Sequence, residues 1–227
     1  RKSAITGSNK GVFKTVMEHL LPEQIEQRSF EIIDGELKKR GIVLPKEQEM
    51  ITKRVIHTTA DFEYTETLTF SEGAVGIARE LLRQGADIVT DTNMALSGIN
   101  KRSLAGLGGE VHCYMADETV AKLAKERKTT RAAVSMEMAA KIKKPVIFAV
   151  GNAPTALIQI YEMMQNSSWR PAFVIGVPVG FVNVEAAKEL IWQTDVPFII
   201  NRGRKGGSNV AAAICNALIY ELTRNRS

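Results

Sequence analysis

Pro145-Val146-Ile147-Phe148-Ala149-Val150-Gly151-Asn152-Ala153-Pro154-Thr155-Ala156-Leu157 joins an unbroken apolar run to a glycine, and the glycine to a proline that opens a second apolar pattern. A short run without polar alternation suits a strand covered on both faces, as in a parallel sheet. Gly151 permits close backbone approach at the joint. Pro154 suits a first helical turn, where its missing N–H would have no partner in any case. The stretch reads as a strand over 145–150 and a helix over 153–165.

The same unit recurs in both directions. Toward the C-terminus, strands are expected over 173–177 and 197–200 and helices over 184–193 and 208–223, with Arg224 and Arg226 complementing the dipole of the last helix. Toward the N-terminus, Ser71 is expected to cap a helix with Ala74, Ile77, Ala78, Leu81 and Leu82 inward, ended by Gly85. Strands over 87–90 and 110–115 and helices over 117–127 and 131–143 follow. Residues 58–70 read as loop or short extended structure. Ahead of them stand a helix over 22–40, with Ile25, Phe30, Ile32, Ile33 and Leu37 inward, and one that starts near Pro45 and ends near His57. Five short strands alternating with helices predict a single-domain α/β fold. It is a Rossmann-like three-layer α/β/α arrangement with a mainly parallel five-stranded sheet. Residues 21–227 form the domain, and 1–20 read as a partly flexible N-terminal extension.

Composition narrows the partners. The 227 residues carry a net charge of +5, which favours an anionic ligand such as nucleic acid, a phosphorylated metabolite or a polycarboxylate. The cations are interspersed with anions, so no nucleic-acid tail is indicated. No apolar run reaches membrane-span length and no secretory leader is visible, so the expected location is cytoplasmic, with no membrane partner. Cys113 and Cys215 read as buried thiols in a reducing compartment. No His, Cys or Asp cluster has metal-ligand spacing.

Ligands of such sheets bind beyond the carboxyl ends of the strands. Three loops stand there. Residues 91–98 bring together Asp91, Thr92 and Asn93. Residues 151–157 offer Asn152, Thr155 and helix-start amides suited to an anion or a carbonyl. Residues 201–208 place Arg202, Arg204 and Lys205 among Gly203, Gly206 and Gly207 before Ser208 and a helix, which suits carboxylates or phosphates. The order fits neither a Walker loop nor GxGxxG. Thr130 and Arg131 introduce a further helix, where the guanidinium could clamp a carboxylate. Arg54 and His57 share a face three residues apart. A helix C-terminus favours a protonated imidazole and the guanidinium disfavours it, so the ring suits proton exchange. Ser29 lies on the inward stripe of the preceding helix, where bonding back to the previous turn is the default and a ligand contact the alternative.

The run Arg54-Val55-Ile56-His57-Thr58-Thr59-Ala60-Asp61-Phe62, preceded by Gln27-Arg28-Ser29-Phe30-Glu31-Ile32-Ile33, resembles the N-terminal signature of the precorrin-8 methylmutases. Further matches are Asp91 with Met94 and Gly98, Thr130-Arg131, residues 151–157, Gly176-Val177-Pro178-Val179-Gly180-Phe181-Val182 and Gly203-Arg204-Lys205-Gly206-Gly207-Ser208. The resemblance implies a homodimeric α/β isomerase of cobalamin biosynthesis that moves the C-11 methyl group of precorrin-8 to C-12. Its substrate is a tetrapyrrole-derived polycarboxylate. It implies His57 as the acid/base residue, with Ser29, Arg54, Asp91, Asn93, Thr130, Arg131, Asn152, Thr155, Arg204, Gly206, Gly207 and Ser208 around the substrate. No organic cofactor or enzyme-held metal is implied, any cobalt being carried by the substrate, and channelling to neighbouring pathway enzymes is expected. Residues 58–62 and 90–101 lean toward the cobalt-containing, oxygen-independent branch. The competing readings are a noncatalytic corrinoid or polyanion carrier and, with no motif behind it, a nucleic-acid-binding module.

Overall fold

The computed structural model describes residues 21–223. The expected extension over 1–20, and the arginines at 224 and 226, lie outside the described residues. Two helices come first, α1 (Pro22–Lys39) and α2 (Glu49–Thr59), followed by the short α3 (Tyr64–Thr67) and β1 (Leu68–Phe70). The alternating part runs α4 (Ala74–Arg83), β2 (Asp87–Thr90), α5 (Asn93–Gly98), α6 (Lys101–Ala105), β3 (Val111–His112), α7 (Glu118–Glu126) and α8 (Arg131–Ala139). It continues through β4 (Val146–Val150), α9 (Pro154–Asn166), β5 (Phe173–Gly176), α10 (Val184–Trp192), β6 (Phe198–Asn201) and α11 (Ser208–Thr223).

The five expected strands pair in parallel, and a sixth joins them. Strand order is β1-β6-β5-β4-β2-β3, with β1 antiparallel to β6 in the register Leu68 to Asn201 and Phe70 to Ile199. β1 falls within the stretch read as loop or short extended structure. Its three residues are too few for a two-residue period to show. The chain leaves β2 toward β3 and returns to β4 on the other side, so the topological switch point lies between β2 and β4.

Strand residues alternate between two cores. Ile88, Ile147, Ala149, Ile175 and Ile199 pack against α2, α4, α5, α6 and α11. Val89, Phe148, Val150, Val174 and Ile200 pack against α8, α9 and α10. Both faces are therefore covered, and three layers result. Close approach of α5 to α11 depends on small residues: a Cβ on Gly98 would stand 2.9 Å from that of Ala212.

Some local expectations change. Gly73, with φ of +65°, stands at the start of α4, and Ser71 instead donates to and accepts from the backbone of Phe198 in β6. Hydrogen bonding across the sheet edge thus displaces the capping role. Among the described side chains of α1 only Ile33 and Leu37 are buried, forming a small cluster with Ile56, while Ile25 and Ile32 stay about half exposed. Cys215 is buried and free, its thiol pushed up to about 12 by desolvation, whereas Cys113 is free and only partly covered. Among the described residues no helix is long and apolar enough to cross a membrane.

Candidate active site

Four strand ends converge at one edge of the sheet. Asp91 follows β2 and is fully buried. Its Oδ1 accepts from the Gly151 amide at 2.8 Å, and its Oδ2 from the Asn152 and Ala153 amides at 2.8 and 2.6 Å. Burial raises the Asp91 carboxyl above the usual carboxylate range, and the three amides oppose that rise by stabilising the charged form. The expectation that Asp91 touches a ligand is corrected: both its oxygens are engaged, and it fastens β2 to β4 across the switch point. The amides of the 151–153 joint, expected to be free for an anion, bind this carboxylate.

The other loops lock against that joint. A Cβ on Gly151 would lie 2.7 Å from the Ser208 Cα and 2.8 Å from the Gly207 carbonyl oxygen. Gly206 has φ of +157°, and a Cβ there would meet the Val177 carbonyl oxygen at 2.1 Å. The amide of Gly207 donates to the same carbonyl at 2.9 Å. These glycines are required by close packing of backbone on backbone, whatever ligand they also serve. Ser208, largely buried, pairs with Thr92 through their hydroxyls at 2.7 Å, so the loops after β2 and β6 are joined there. Ser208 and Gly207 therefore act as parts of the frame, not as open contacts.

Around this frame stand the exposed groups: Asn93 and Met94 at the start of α5, the Asn152 side chain, Phe181 and Val182 after β5, and Arg131 at the start of α8. Thr130 accepts from the Ala133 amide as the cap of α8 and donates to Thr155 at 3.0 Å, which sets α8 beside the start of α9. Arg204 is exposed, bonded to Glu185 of α10 at 3.1 Å and 5.6 Å from the Phe181 ring centroid.

His57, Arg54 and Ser29 form a second group, on α1 and α2. Phe30 stands between the two basic residues, its ring 5.4 Å from the His57 ring and 5.3 Å from the Arg54 guanidinium. Arg54 also donates to Glu26 at 2.7 Å and lies 5.1 Å from the Tyr220 ring. Ser29 donates back to the Ile25 carbonyl at 2.8 Å, the default for a hydroxyl within a helix. Ser29 and Arg54 thus have internal partners, while His57 is exposed at the last turn of α2. Lys205 ties this group to the strand ends, donating to Asp61 at 2.6 Å and Glu63 at 2.7 Å. That ammonium holds the Asp61 carboxyl below its usual range, and the two carboxylates raise the lysine.

A sequence profile of the family described as Precorrin-8X methylmutase matches residues 24–221, which spans both groups. The chain belongs to that family. A cobalt-precorrin-8 methylmutase of Salmonella typhimurium is 45% identical over 206 residues, covering 88% of this chain and 96% of the relative. One from Priestia megaterium is 42% identical over 197 residues, covering 87% of each. The crystal structure of the precorrin-8x methyl mutase from Thermus thermophilus superposes with a TM-score of 0.79 at 37% identity, covering 88% of this chain and 98% of that one. In this methylmutase fold, sequence reasoning missed Lys188, Asn201, Glu185 and Glu26. Lys188, Glu185 and Glu26 act through partners 15 or more residues away, whereas Asn201 acts on the turn that follows it.

Proposed function

We infer that the protein is an isomerase of cobalamin biosynthesis that moves the C-11 methyl group of a precorrin-8 macrocycle to C-12. The observation that carries this is the family match across residues 24–221, which includes His57 and all four strand-end loops. The geometry is in keeping with it. A polycarboxylate ring needs cations and free amides at its periphery, and Arg131, Arg204 and the 203–206 turn supply them around an apolar lip of Met94, Phe181 and Val182.

In this reading His57 exchanges a proton with the bound ring and promotes the methyl shift, while Phe30 and Arg54 orient the imidazole. The reaction is already intramolecular, so electrostatic tuning and ring conformation supply the acceleration. Asn93, Asn152, Thr130 and Thr155 add polar contacts, and Asp91 acts only through the amides it holds. The chemistry requires no organic cofactor, and cobalt enters as part of the substrate. The relatives named above as cobalt-precorrin-8 methylmutases favour the cobalt-containing branch. A homodimer would cover Leu21 just before α1, Ile25 and Ile32 on α1 and Met50 on α2, which are 64, 53, 52 and 42% exposed. A cytoplasmic location and handover of product to a neighbouring pathway enzyme complete the proposal.

The test is anaerobic incubation with cobalt-precorrin-8, following the chromophore change to cobyrinate, and repetition with the metal-free substrate. Conversion is expected, faster with cobalt present. Tight binding without turnover would replace the enzyme by a corrinoid carrier.

A further inference from the structure

The turn after β6 is held entirely from behind. Asn201 Nδ2 donates to the carbonyls of Arg202 and Lys205 at 3.2 and 2.9 Å, and the Gly180 amide donates to the carbonyl of Arg204 at 3.1 Å. Lys188 Nζ donates to the carbonyls of Gly203 and Lys205 at 2.7 and 2.9 Å. All four carbonyls from 202 to 205 therefore have donors. The amides of Gly203, Arg204, Lys205 and Gly206, by contrast, have no acceptor among the described residues. Consecutive free amides beside a guanidinium form a concave seat for an anionic oxygen.

Lys188 is the unexpected member of this arrangement. It lies on α10, is only 3% exposed, and has no carboxylate within ion-pair distance among the described residues. Burying an ammonium without a counter-charge is costly, and a neutral donor could serve the two carbonyls without that cost. Packing alone therefore does not account for a lysine here.

We propose that Lys188 is a positioning residue for substrate carboxylate. It fixes the carbonyls of Gly203 and Lys205 so that the 203–206 amides face the ligand, and it places a buried positive charge behind the bound carboxylate. This rests on the methylmutase reading and deepens it.

Burial lowers the Lys188 ammonium to about 8, opposed by Glu185 one turn earlier on the same helix. The charged side chains of the turn are engaged elsewhere, Arg202 with the Glu66 carbonyl, Arg204 with Glu185 and Lys205 with Asp61 and Glu63. Of the elements packed against α10, β5 and β6 carry no titratable side chain, and α9 carries Tyr161 and Glu162, neither bonded to Lys188. A neutral amine can still donate to both carbonyls. Deprotonation therefore removes the charge behind the carboxylate and leaves the turn in place.

The experiment compares cobyrinate with its fully methylated ester as ligands of the wild type and of Lys188→Met, with KM and kcat measured for cobalt-precorrin-8. The wild type should prefer the acid, and that preference should shrink as pH rises past about 8. K188M should keep only the part of that preference supplied by Arg131 and Arg204, with no change between neutral pH and pH ~9.5, and with KM raised roughly tenfold or more and kcat nearly unchanged. Unchanged KM in K188M, or an acid-to-ester preference that stays flat from neutral pH through pH ~9.5 in the wild type, would overturn the assignment. Should K188M not fold, the wild-type pH series decides alone. If the wild type neither binds cobyrinate nor converts substrate, the functional reading itself has failed, and the role of Lys188 falls with it.

Discussion

The strand-end rim and the α1–α2 patch are built from different materials. At the rim, backbone meets backbone: Asp91 anchors three amides, Gly206 lies against Val177, and Ser208 meets Thr92, all within buried surroundings. In the patch, side chains stack on side chains: His57 and Arg54 flank Phe30, over a cluster of only three fully buried residues, Ile33, Leu37 and Ile56. The first construction resists deformation and suits holding a large rigid ligand. The second leaves one ionisable ring exposed and adjustable, which suits proton exchange. They are joined by the packing of α2 on α11, by the seam of Lys205 pairs with Asp61 and Glu63, and by the β1–β6 edge, where Thr67 donates to Asn201 at 2.7 Å.

This division of labour predicts different failures. The largest effect belongs to the patch. His57→Ala should lower turnover by about 10²- to 10⁴-fold while leaving cobyrinate affinity within a few-fold. Equal losses in binding and turnover, read by single-turnover absorbance and ligand titration, would mean that the imidazole holds substrate instead.

Gly206→Ala comes next, and it should break the rim. A methyl 2.1 Å from the Val177 oxygen, at φ of +157°, forces the loop apart, at a cost of roughly 2–4 kcal/mol in denaturant unfolding together with loss of ligand binding. Asp91→Asn follows at about 1–3 kcal/mol, because the amide NH2 of asparagine must face backbone N–H groups that have nothing else to donate to. Cobyrinate affinity should fall with stability in this variant, whereas the His57 variant should unfold like the wild type. A D91N protein of normal stability and weakened binding would make Asp91 a ligand contact after all.

Lys205→Ala should be the mildest, raising KM roughly two- to five-fold as an exposed pair is lost. Its linkage to pH has a definite sign. The Asp61 carboxyl is held low, so the seam contributes above the ordinary aspartate range and weakens as pH falls through the lower folded value. The lysine is held high, so the contribution is fully present below the ordinary lysine value and is lost as pH rises from there through the raised folded value. Between those limits wild type and K205A should show parallel pH–activity profiles, and divergence near neutrality would assign the seam a titrating partner not named above.

Much of this was legible in the chain. Apolar runs at 146–150, 173–176 and 198–200 mark strands covered on both faces, and each is followed by a glycine-bearing loop, which locates the rim. The position of His57 at a helix end beside Arg54 was legible too. The bond of Ser29 to the previous turn was legible as the default for a helical hydroxyl, whereas the partners of Asp91 and Arg54 were not. A polar residue beyond a strand looks the same whether it faces a ligand or another loop, and only the structure shows Gly151 as a partner of Asp91 and Glu26 as that of Arg54. β1 was read no further than loop or short extended structure, because an edge strand of three residues draws its identity from the neighbour it pairs with. Lys188 escaped because a lysine on a helix ordinarily points to water.

The carboxylate beneath the switch point has one more consequence. In parallel sheets of this topology, that crevice and the adjoining helix start are where a nucleotide phosphate settles. Here Asp91 already fills the seat as an internal surrogate anion covalently part of the chain. The sheet cannot grip a phosphoryl group between β2 and β4, and any ligand must lie across the strand ends like a lid on a closed drain. A broad, flat macrocycle fits that geometry; a dinucleotide, which needs to reach down into the crevice, does not.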